Sequence, residues 1–350
     1  MSLLDTIIKQ IRSDVPWSDL HVEQDAPVMA MLPGGWAEAD VDYEPDHNDL
    51  EHLLGTLNKD WQQIICKQAI KRTTQLDDWR VRLTAYMASG GAKYVMSVRR
   101  VPVALPTIQG YALPDVLEVI ARSRSGLFLV SGPTRSGKST TLAAMIDYVN
   151  SGFAKHIVTV EDPIEFAHAR KRSIITSREV GIDVVSFHQG VVDAMRQTPD
   201  VIMVGEIRDS ETAEVALLAA ESGHFVLASL HGHSVPLSIQ KLLNFFPGRE
   251  REAKANVLAS HLVGAMSQQL LPRADRKGWA LASEWIFNYQ RRFTKNAADL
   301  DALGEIMARD EHAPYAMTMR KSVMGLTGSG KVRPEDAAAA IDIDFGTGRA

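Results

Sequence analysis

Cysteine is almost absent from the 350-residue chain, which contains only Cys66. A single cysteine excludes an intramolecular disulfide framework and any zinc site built from Cys-x-x-Cys pairs. It is also consistent with a reducing compartment. We therefore expect a cytoplasmic protein that binds no zinc.

Long apolar runs and an excess of positive charge are missing as well. No run reaches the about 18 apolar residues that a membrane-spanning helix needs. Residues 1–11 predict a short amphipathic helix rather than a signal peptide, because they lack a basic start and a long apolar centre. The formal net charge of −5 excludes a global basic field, so we expect no nucleic-acid partner. The length is sufficient for two domains, each with its own core.

The most informative stretch reads Gly-Pro-Thr-Arg-Ser-Gly-Lys-Ser and spans residues 132–139. An apolar run at 127–130 precedes it and a helix-forming run at 140–146 follows. This order of strand, glycine-rich loop and helix is typical of the phosphate-binding loop, or P-loop. Its backbone N–H groups and the helix N-terminus together bind phosphates. The residues that we assign to ATP binding are Gly132, Pro133, Thr134, Arg135, Ser136, Gly137, Lys138, Ser139 and Thr140, with Ser139 also assigned to Mg²⁺.

A second Gly-x-x-x-x-Gly-Lys segment occupies residues 325–331. Val332 follows it in place of Ser or Thr, no apolar strand precedes it, and Pro334 comes shortly after. We predict a flexible turn between two helices at this place.

The rest of the chain divides at a proline-rich stretch, residues 101–106. Residues 1–100 predict a small domain with a mostly antiparallel sheet and flanking helices. Two of these helices are predicted at 49–57, with Asn48 as the cap, and at 59–70. After the proline-rich stretch, strands and helices alternate, which predicts a mainly parallel sheet covered by helices. The predicted strands are 127–130, 156–160, 201–204 and 225–230. Further helices are predicted at 250–270 and 296–345.

Acidic residues follow two of these apolar strands. Glu206 comes after strand 201–204, where a carboxylate can polarise the attacking water or bind Mg²⁺ through water. Glu161 and Asp162 end the strand at 156–160, at the sheet edge where ligands bind in open α/β folds. Asp209 either joins this group or caps the following helix, and Glu165 is either a site residue or a surface charge.

Two histidines flank the strand at 225–230. His224 precedes the strand and His231 follows it, and each could sense the γ-phosphate or contact a neighbouring subunit. His231 is the better candidate because it ends an apolar strand. We interpret His233 as a solvated side chain.

Four arginines lie on a predicted hairpin before the proline-rich stretch: Arg80, Arg82, Arg99 and Arg100. They predict a solvated face in a monomer. In a ring of subunits they could instead reach the phosphates of an adjacent subunit as arginine fingers.

These motifs together resemble the secretion and pilus motor ATPase superfamily, and most closely its PilT-like retraction ATPases. The matching segments follow one another in family order: 18–21, 79–81, 132–141, 161–166, 178–181, 199–209, 223–224 and 230–231. In the family these include the Asp box at Glu161, the Walker B motif with the catalytic Glu206, and the His box at His224 and His231. Arg80 and Arg99 match the family arginines that approach the nucleotide.

The resemblance implies an α/β fold of two domains with a helical C-terminal region. An N-terminal PAS-like α+β domain (1–101) and a linker (102–112) precede a RecA-like P-loop ATPase core (113–272) and a mostly helical region (273–350). It further implies a homohexamer that hydrolyses ATP with Mg²⁺ at Ser139, Glu161, Asp162 and Glu206. Such a motor works on an inner-membrane platform protein and is peripherally associated with that membrane.

Three departures from the family keep alternatives open. Arg135 replaces a glycine of the P-loop, which puts the turnover rate in question. Gly232-His233 replaces the usual Thr-Thr, and residues 287–320 lack a motif typical of retraction ATPases. The alternatives are a type IVB secretion or conjugative-transfer ATPase, to which residues 284–287 are equally similar, and a nucleotide-gated scaffold with little turnover. A helicase has no support from charge or aromatic pattern.

Overall fold

The computed structural model describes residues 2–41, 43–288, 300–309 and 315–344. The chain forms two compact units. The first contains the residues up to Ala104 together with Pro272–Trp279, and the second contains Leu105–Leu271 and the chain from Ala280 onward.

The first unit is a six-stranded antiparallel sheet with helices on one face. Its elements are α1 (Leu3–Ile11), β1 (Asp19–Glu23), β2 (Met29–Leu32), β3 (Gly35–Glu38), α2 (His47–Leu57), α3 (Trp61–Ile65), β4 (Ile70–Leu76), β5 (Trp79–Ala88) and β6 (Lys93–Pro102). The strand order is β3-β2-β1-β6-β5-β4. Apolar residues of α1, α2 and the inner face of the sheet form one buried core. The predicted antiparallel sheet is confirmed.

Two local predictions in this unit were wrong. The cap of α2 is Asp46, whose carboxylate accepts a hydrogen bond from the backbone N–H of Asp49, rather than Asn48. The helix expected over 59–70 ends at Ile65, because Ile70 already pairs with Ala85 as the first residue of β4.

The second unit contains an eight-stranded, mainly parallel sheet. Its elements are α4 (Val116–Ile120), β7 (Gly126–Ser131), α5 (Lys138–Gly152), β8 (His156–Glu161), β9 (Ile174–Glu179), α6 (Phe187–Met195), β10 (Val201–Val204), α7 (Ser210–Glu221), β11 (Phe225–Leu230), α8 (Val235–Asn244), α9 (Gly248–His261), β12 (Leu262–Pro272), β13 (Trp279–Phe287), α10 (Leu300–Ala308), β14 (Ala316–Met317), α11 (Met319–Gly328) and α12 (Pro334–Asp344). The strand order is β14-β13-β12-β7-β11-β10-β8-β9, and the pairs from β12 to β9 are parallel.

Both faces of this sheet are buried. Along β7, Leu127 and Leu129 belong to the core on one face, while Phe128 and Val130 belong to the core on the other. Helices cover both faces, so every side chain of the strand must be apolar or small. This explains why the strand reads as a continuous apolar run.

The helix predicted over 250–270 was wrong in its second half. α9 ends at His261, and the chain continues directly into the strand β12. Residues from Leu262 to Ser267 pair with β7, so tertiary pairing overrides the local helical pattern. In the region that was expected to be mostly helical, β13 coincides with the strand signal at 280–287, and β14 adds a short strand that was not expected. The parts of the helical prediction at 296–299, 310–314 and 345 lie outside the described residues, and so do residues 289–299 and 310–314 of the segment without the retraction motif.

No helix in the described ranges is long and apolar enough to cross a bilayer.

Candidate nucleotide site

Four functional segments meet at one edge of the second unit's sheet. β7, β8, β10 and β11 are parallel neighbours or near neighbours, so their carboxyl ends lie at the same edge. The P-loop follows β7, Glu161 ends β8, and Glu206 follows β10. His231 follows β11. The sequence therefore brings together the side chains that we predicted from four separate motifs.

The P-loop has the backbone that a phosphate site requires. Gly137, directly before α5, has φ +87°, and Gly132 has φ +148°. A Cβ on Gly132 would lie 2.4 Å from both the Gln268 carbonyl oxygen and Ser136 Oγ, so only glycine fits there. Arg135 also adopts a left-handed conformation with φ +66°, which is strained for a residue with a side chain.

Lys138 lies folded over its own loop. Its Nζ donates to the carbonyl oxygens of Gly132 and Pro133, each at 2.9 Å. Burial lowers the pKa of Lys138, while the nearby carboxylates of Glu206 and Glu165 act in the opposite direction. These two acids therefore lie close enough to the ammonium group to stabilise its charge. Of the two interpretations of Glu165, this proximity favours a place at the site.

Glu206 lies between Arg208 and His231, and its side chain is 14% exposed. Arg208 Nε lies 2.7 Å from one carboxylate oxygen, and His231 Nε2 lies 2.7 Å from the other. Arg208 Nη1 also lies 3.3 Å from Asp162 Oδ2, so one guanidinium links the acids that follow β8 and β10. Arg208 lies in the matched segment 199–209, but it was not assigned to the site from the sequence.

His231 faces the P-loop. Burial lowers its pKa, and the positive charge of Lys138 lowers it further, whereas Glu206 opposes the shift. Burial therefore favours the neutral form of the ring, in which Nε2–H can donate a hydrogen bond to the Glu206 carboxylate without carrying a charge.

The acids that we predicted as magnesium ligands follow strands of the same sheet edge as the P-loop, but they already have polar partners. Glu161 is 8% exposed and accepts hydrogen bonds from Thr159 Oγ1 at 2.9 Å and from the Glu165 backbone N–H at 3.2 Å. No cluster of three or more His, Cys, Asp or Glu side chains suited to a metal occurs in the described ranges. Mg²⁺ keeps several waters and binds through few carboxylates and the substrate phosphates. The Ser139 hydroxyl with carboxylates at a distance fits that mode.

Two predicted site residues lie elsewhere or do something else. His224 precedes β11, so it lies at the opposite edge of the sheet from the P-loop, and its Nδ1 is 3.0 Å from the Ala219 carbonyl oxygen. The assignment of His224 to the nucleotide of its own subunit is therefore corrected. Asp209 is the cap of α7, since its carboxylate accepts from the Thr212 backbone N–H at 2.7 Å.

Three of the four predicted hairpin arginines share one face of the first unit's sheet. Arg82 lies directly opposite Arg99 across β5 and β6, and Arg80 is two residues from Arg82 on the same face. Arg99 Nε donates to Asp19 Oδ1 at 2.8 Å. The arrangement keeps Arg80, Arg82 and Arg99 together as a group.

Arg100 points to the opposite face, and its assignment to this group was wrong. Its guanidinium is stacked 4.0 Å and 4.3 Å from the ring centroids of Trp17 and Trp79. It donates to the carbonyl oxygens of Ile11 and Ser13 beyond the end of α1, at 2.9 Å and 3.0 Å. Burial lowers its pKa to about 10. Arg100 is thus part of the core of the first unit.

Gln268 was also missed, because the strand that carries it was predicted to be helical. It is 1% exposed and lies on β12, next to the P-loop strand. Its Nε2 donates to the Ser136 carbonyl oxygen at 2.7 Å, and its Oε1 accepts from Thr141 Oγ1 at 2.9 Å.

The chain is similar to several known proteins. The sequence profile of the family described as "Type II/IV secretion system protein" matches residues 108–324. The chain is 36% identical over 252 residues to the type IV pilus ATPase PilU of Pseudomonas aeruginosa, which covers 71% of this chain and 65% of the relative. It is 35% identical over 260 residues to the type IV pilus retraction ATPase PilT of the same organism, which covers 73% of this chain and 74% of the relative.

Solved structures agree with the fold. The crystal structure of the pilus retraction motor PilT with bound ADP is 32% identical, covers 97% of both chains and has a TM-score of 0.80. The ATPase DotB of Legionella pneumophila is 21% identical with a TM-score of 0.84, and it covers 98% of this chain and 96% of its own. At that identity DotB supports the fold alone.

The predicted α/β fold, with an antiparallel domain before a mainly parallel ATPase domain, is confirmed, and so is the predicted resemblance to the motor ATPases. Together with the geometry of the P-loop and of Glu206, these comparisons establish that the chain belongs to the family of type II/IV secretion system ATPases.

Proposed function

We propose that the protein is an ATP-hydrolysing motor that powers type IV pilus dynamics in the manner of a retraction ATPase. The observation that carries the proposal is the convergence of Glu206 and His231 with the P-loop lysine at one sheet edge. Glu206 and His231 are 2.7 Å apart, and the charge of Lys138 acts on both of them. The names of PilU and PilT supply the biological context.

The residues divide the work of ATP hydrolysis between them. The P-loop N–H groups and Lys138 bind the phosphates, so Lys138 exchanges the carbonyl oxygens of Gly132 and Pro133 for phosphate oxygens. The Ser139 hydroxyl would hold Mg²⁺, and Glu161 and Asp162 would bind its waters. The bound metal would neutralise phosphate charge. Glu206 orients and polarises the attacking water, because each of its oxygens can accept a further hydrogen bond beside the one from Arg208 or His231.

The arginine group contributes to a shared site in a ring. We propose a homohexamer in which Arg80 and Arg99 reach the phosphates of ATP and stabilise the charge that develops during transfer. Their common face on the sheet supports this role. The ring works in the cytoplasm, peripherally on the inner membrane, against a platform protein.

Two alternatives rest on particular observations. The fold of DotB supports a type IVB secretion or conjugation ATPase, but only at the level of fold. The strained Arg135 supports a nucleotide-gated scaffold with little turnover.

Hydrolysis by the purified protein and ring formation test the proposal together. We expect magnesium-dependent ATP hydrolysis and, by light scattering with a non-hydrolysable ATP analogue, a particle of six chains. In cells, deletion of the gene should abolish pilus retraction. ATP binding without measurable hydrolysis would favour the scaffold, and normal retraction in the deletion strain would favour the secretion alternative.

A further inference from the structure

The side chain of Gln268 joins β12 to the backbone of the P-loop. Its Nε2 donates to the Ser136 carbonyl oxygen at 2.7 Å. The side chain is 1% exposed, so water does not compete for this hydrogen bond. We infer that Gln268 is a positioning residue that orients the Ser136–Gly137 peptide for phosphate binding.

The planarity of the peptide bond gives this hydrogen bond its effect. In a trans peptide the C=O of one residue and the N–H of the next point in opposite directions. When Gln268 fixes the Ser136 carbonyl toward β12, the Gly137 N–H must point away from β12, into the concave side of the loop. That N–H is one of the donors that a P-loop offers to phosphate. Gln268 therefore prepares a phosphate donor that it does not itself touch.

The orientation of the Gln268 amide is determined by its two partners. The Ser136 carbonyl can only accept, so the NH₂ group must face it, and the amide oxygen then faces Thr141. Thr141 Oγ1 must donate to that oxygen, at 2.9 Å. Thr141 is fully buried on α5, one turn after Lys138. The helix that follows the P-loop thus locks the amide that orients the loop.

The two glycines of the P-loop give independent support. A Cβ on Gly132 would lie 2.4 Å from the Gln268 carbonyl oxygen, and a Cβ on Gly137 would lie 3.1 Å from Gln268 Nε2. Both glycines are therefore in contact with the same residue of β12. The close approach of Gln268 is one physical reason why the loop carries glycine at these two positions.

The inference rests on the proposed function, because it deepens the phosphate site of the same ATPase. It is tested with Gln268→Leu, which has a similar volume and no donor. We expect ATP and ADP affinity to fall by about tenfold or more, as the loss of a buried hydrogen-bonding partner does. Because the Gly137 N–H binds phosphate in the ground state as well as in the transition state, KM should rise more than kcat falls. Melting temperature without nucleotide controls for folding.

Two further variants provide matched controls. Gln269→Leu changes the next residue, which is half-buried on the other face of β12, and should leave affinity and KM unchanged. Thr141→Val removes the lock on the amide but keeps the Ser136 hydrogen bond, so its effect should be smaller than that of Gln268→Leu.

Gln268→Glu adds a measurement, the pH dependence of nucleotide affinity, that should not change if Gln268 only supports packing. The ionised carboxylate cannot donate to the Ser136 carbonyl, whereas the protonated acid can. Its nucleotide affinity relative to the unmodified protein should therefore improve between about pH 8 and about pH 6, where a buried carboxyl group can titrate.

The outcomes separate this inference from the proposed function. If the unmodified protein and Lys138→Ala bind ATP equally, the proposed function fails. If Lys138→Ala loses ATP while Gln268→Leu binds it normally, the inference alone is overturned. Loss of the folded state in both Gln268 variants would also overturn it, because Gln268 would then support the packing of β12 as a whole.

Discussion

The chain contains the pattern Gly-x-x-x-x-Gly-Lys twice, and the two copies fold differently. In the first copy, Gly132 and Gly137 have φ values of +148° and +87° and form a loop between β7 and α5. In the second copy, Gly325 and Gly328 lie within α11, and only Gly330 has a positive φ, +69°. The second copy is the C-terminal end of a helix, where the Lys331 backbone N–H donates to the Leu326 carbonyl oxygen at 2.9 Å. The prediction of a turn between helices is thus correct for its last residues only.

The surroundings of the two copies explain why only the first is suited to bind phosphate. The first copy follows a buried parallel strand, so its loop opens at the sheet edge where Glu161 and Glu206 also lie. It also rests against Gln268 of β12. The second copy has exposed Lys331 beside buried Val332, and it lies at the end of a helix, α11, rather than at the end of a strand. Lys138 is suited to phosphate binding because its loop lies at the acidic sheet edge and against β12.

The largest expected effect comes from removing the two lysines in turn. Lys138→Ala should lower ATP hydrolysis by about 10²- to 10³-fold, because a charged group aimed at the phosphates is lost. Lys331→Ala should leave hydrolysis unchanged. Steady-state ATPase assays on both variants measure this, and equal losses in the two would erase the distinction between the copies.

The acid that accompanies only the first copy gives the second-largest effect. Glu206→Gln should keep ATP binding but lower turnover by at least about 10²-fold, as loss of a catalytic acid–base group does. Glu221→Gln, at the exposed end of α7, is the control. If Glu206→Gln turned over ATP as fast as the unmodified enzyme, the assignment of Glu206 as a catalytic residue would be wrong.

Adding one methyl group to each copy tests the glycines. Gly132→Ala should destabilise the fold by about 1–3 kcal/mol, because the new Cβ overlaps the Gln268 carbonyl oxygen. Nucleotide affinity should fall with it. Denaturant unfolding and calorimetric ADP binding measure the two effects. A variant as stable as the unmodified protein would show that the loop is not pressed against β12.

Arg135 stands where a typical P-loop has glycine, so replacing it should make the first copy differ more clearly from the second. Arg135→Gly removes a side chain from a left-handed residue, so stability should rise by about 1 kcal/mol. If the strain also slows turnover, kcat should rise. Arg276→Gly is a matched control, since Arg276 has φ +57° and lies in the first unit. It should gain stability without any change in hydrolysis, and an equal rise in kcat there would contradict a specific role for Arg135.

The smallest effect is expected in the second copy. No atom lies within 4 Å of a Cβ added to Gly325, which is in the interior of α11. Gly325→Ala should therefore raise stability by about 0.5–1 kcal/mol through the better helix propensity of alanine. Thermal unfolding measures the gain. Destabilisation would mean that this segment is not a plain helix.

The sequence was sufficient to predict the strands that are buried and that end at a clear polar or glycine signal. The four predicted parallel strands agree with β7, β8, β10 and β11 to within a residue or two, because each is a short apolar run that ends at glycine, acid or histidine. The site residues at their ends could be predicted for the same reason. Glu161 and Glu206 follow directly from the rule that parallel strands end at one edge.

The parts that could not be predicted depend on distant pairing. β12 continues from α9 without a turn residue, and its partner strand lies more than a hundred positions away in sequence, so Gln268 remained hidden with it. The error at Arg100 was different. Adjacent residues of a strand point to opposite faces, so Arg99 and Arg100 could not both belong to one face, and this rule was available from the sequence.

The P-loop strand is fastened to β12 at both of its ends. A Cβ on Gly126, where β7 begins, would lie 2.7 Å from Val263 Cγ2 of β12, and one on Gly132 would lie 2.4 Å from the Gln268 carbonyl oxygen. With so little space between them, β7 and β12 cannot slide past each other. Any displacement of the loop during nucleotide exchange therefore carries β12 with it. β12 itself extends to Pro272, so a displacement at the P-loop reaches the far end of that strand.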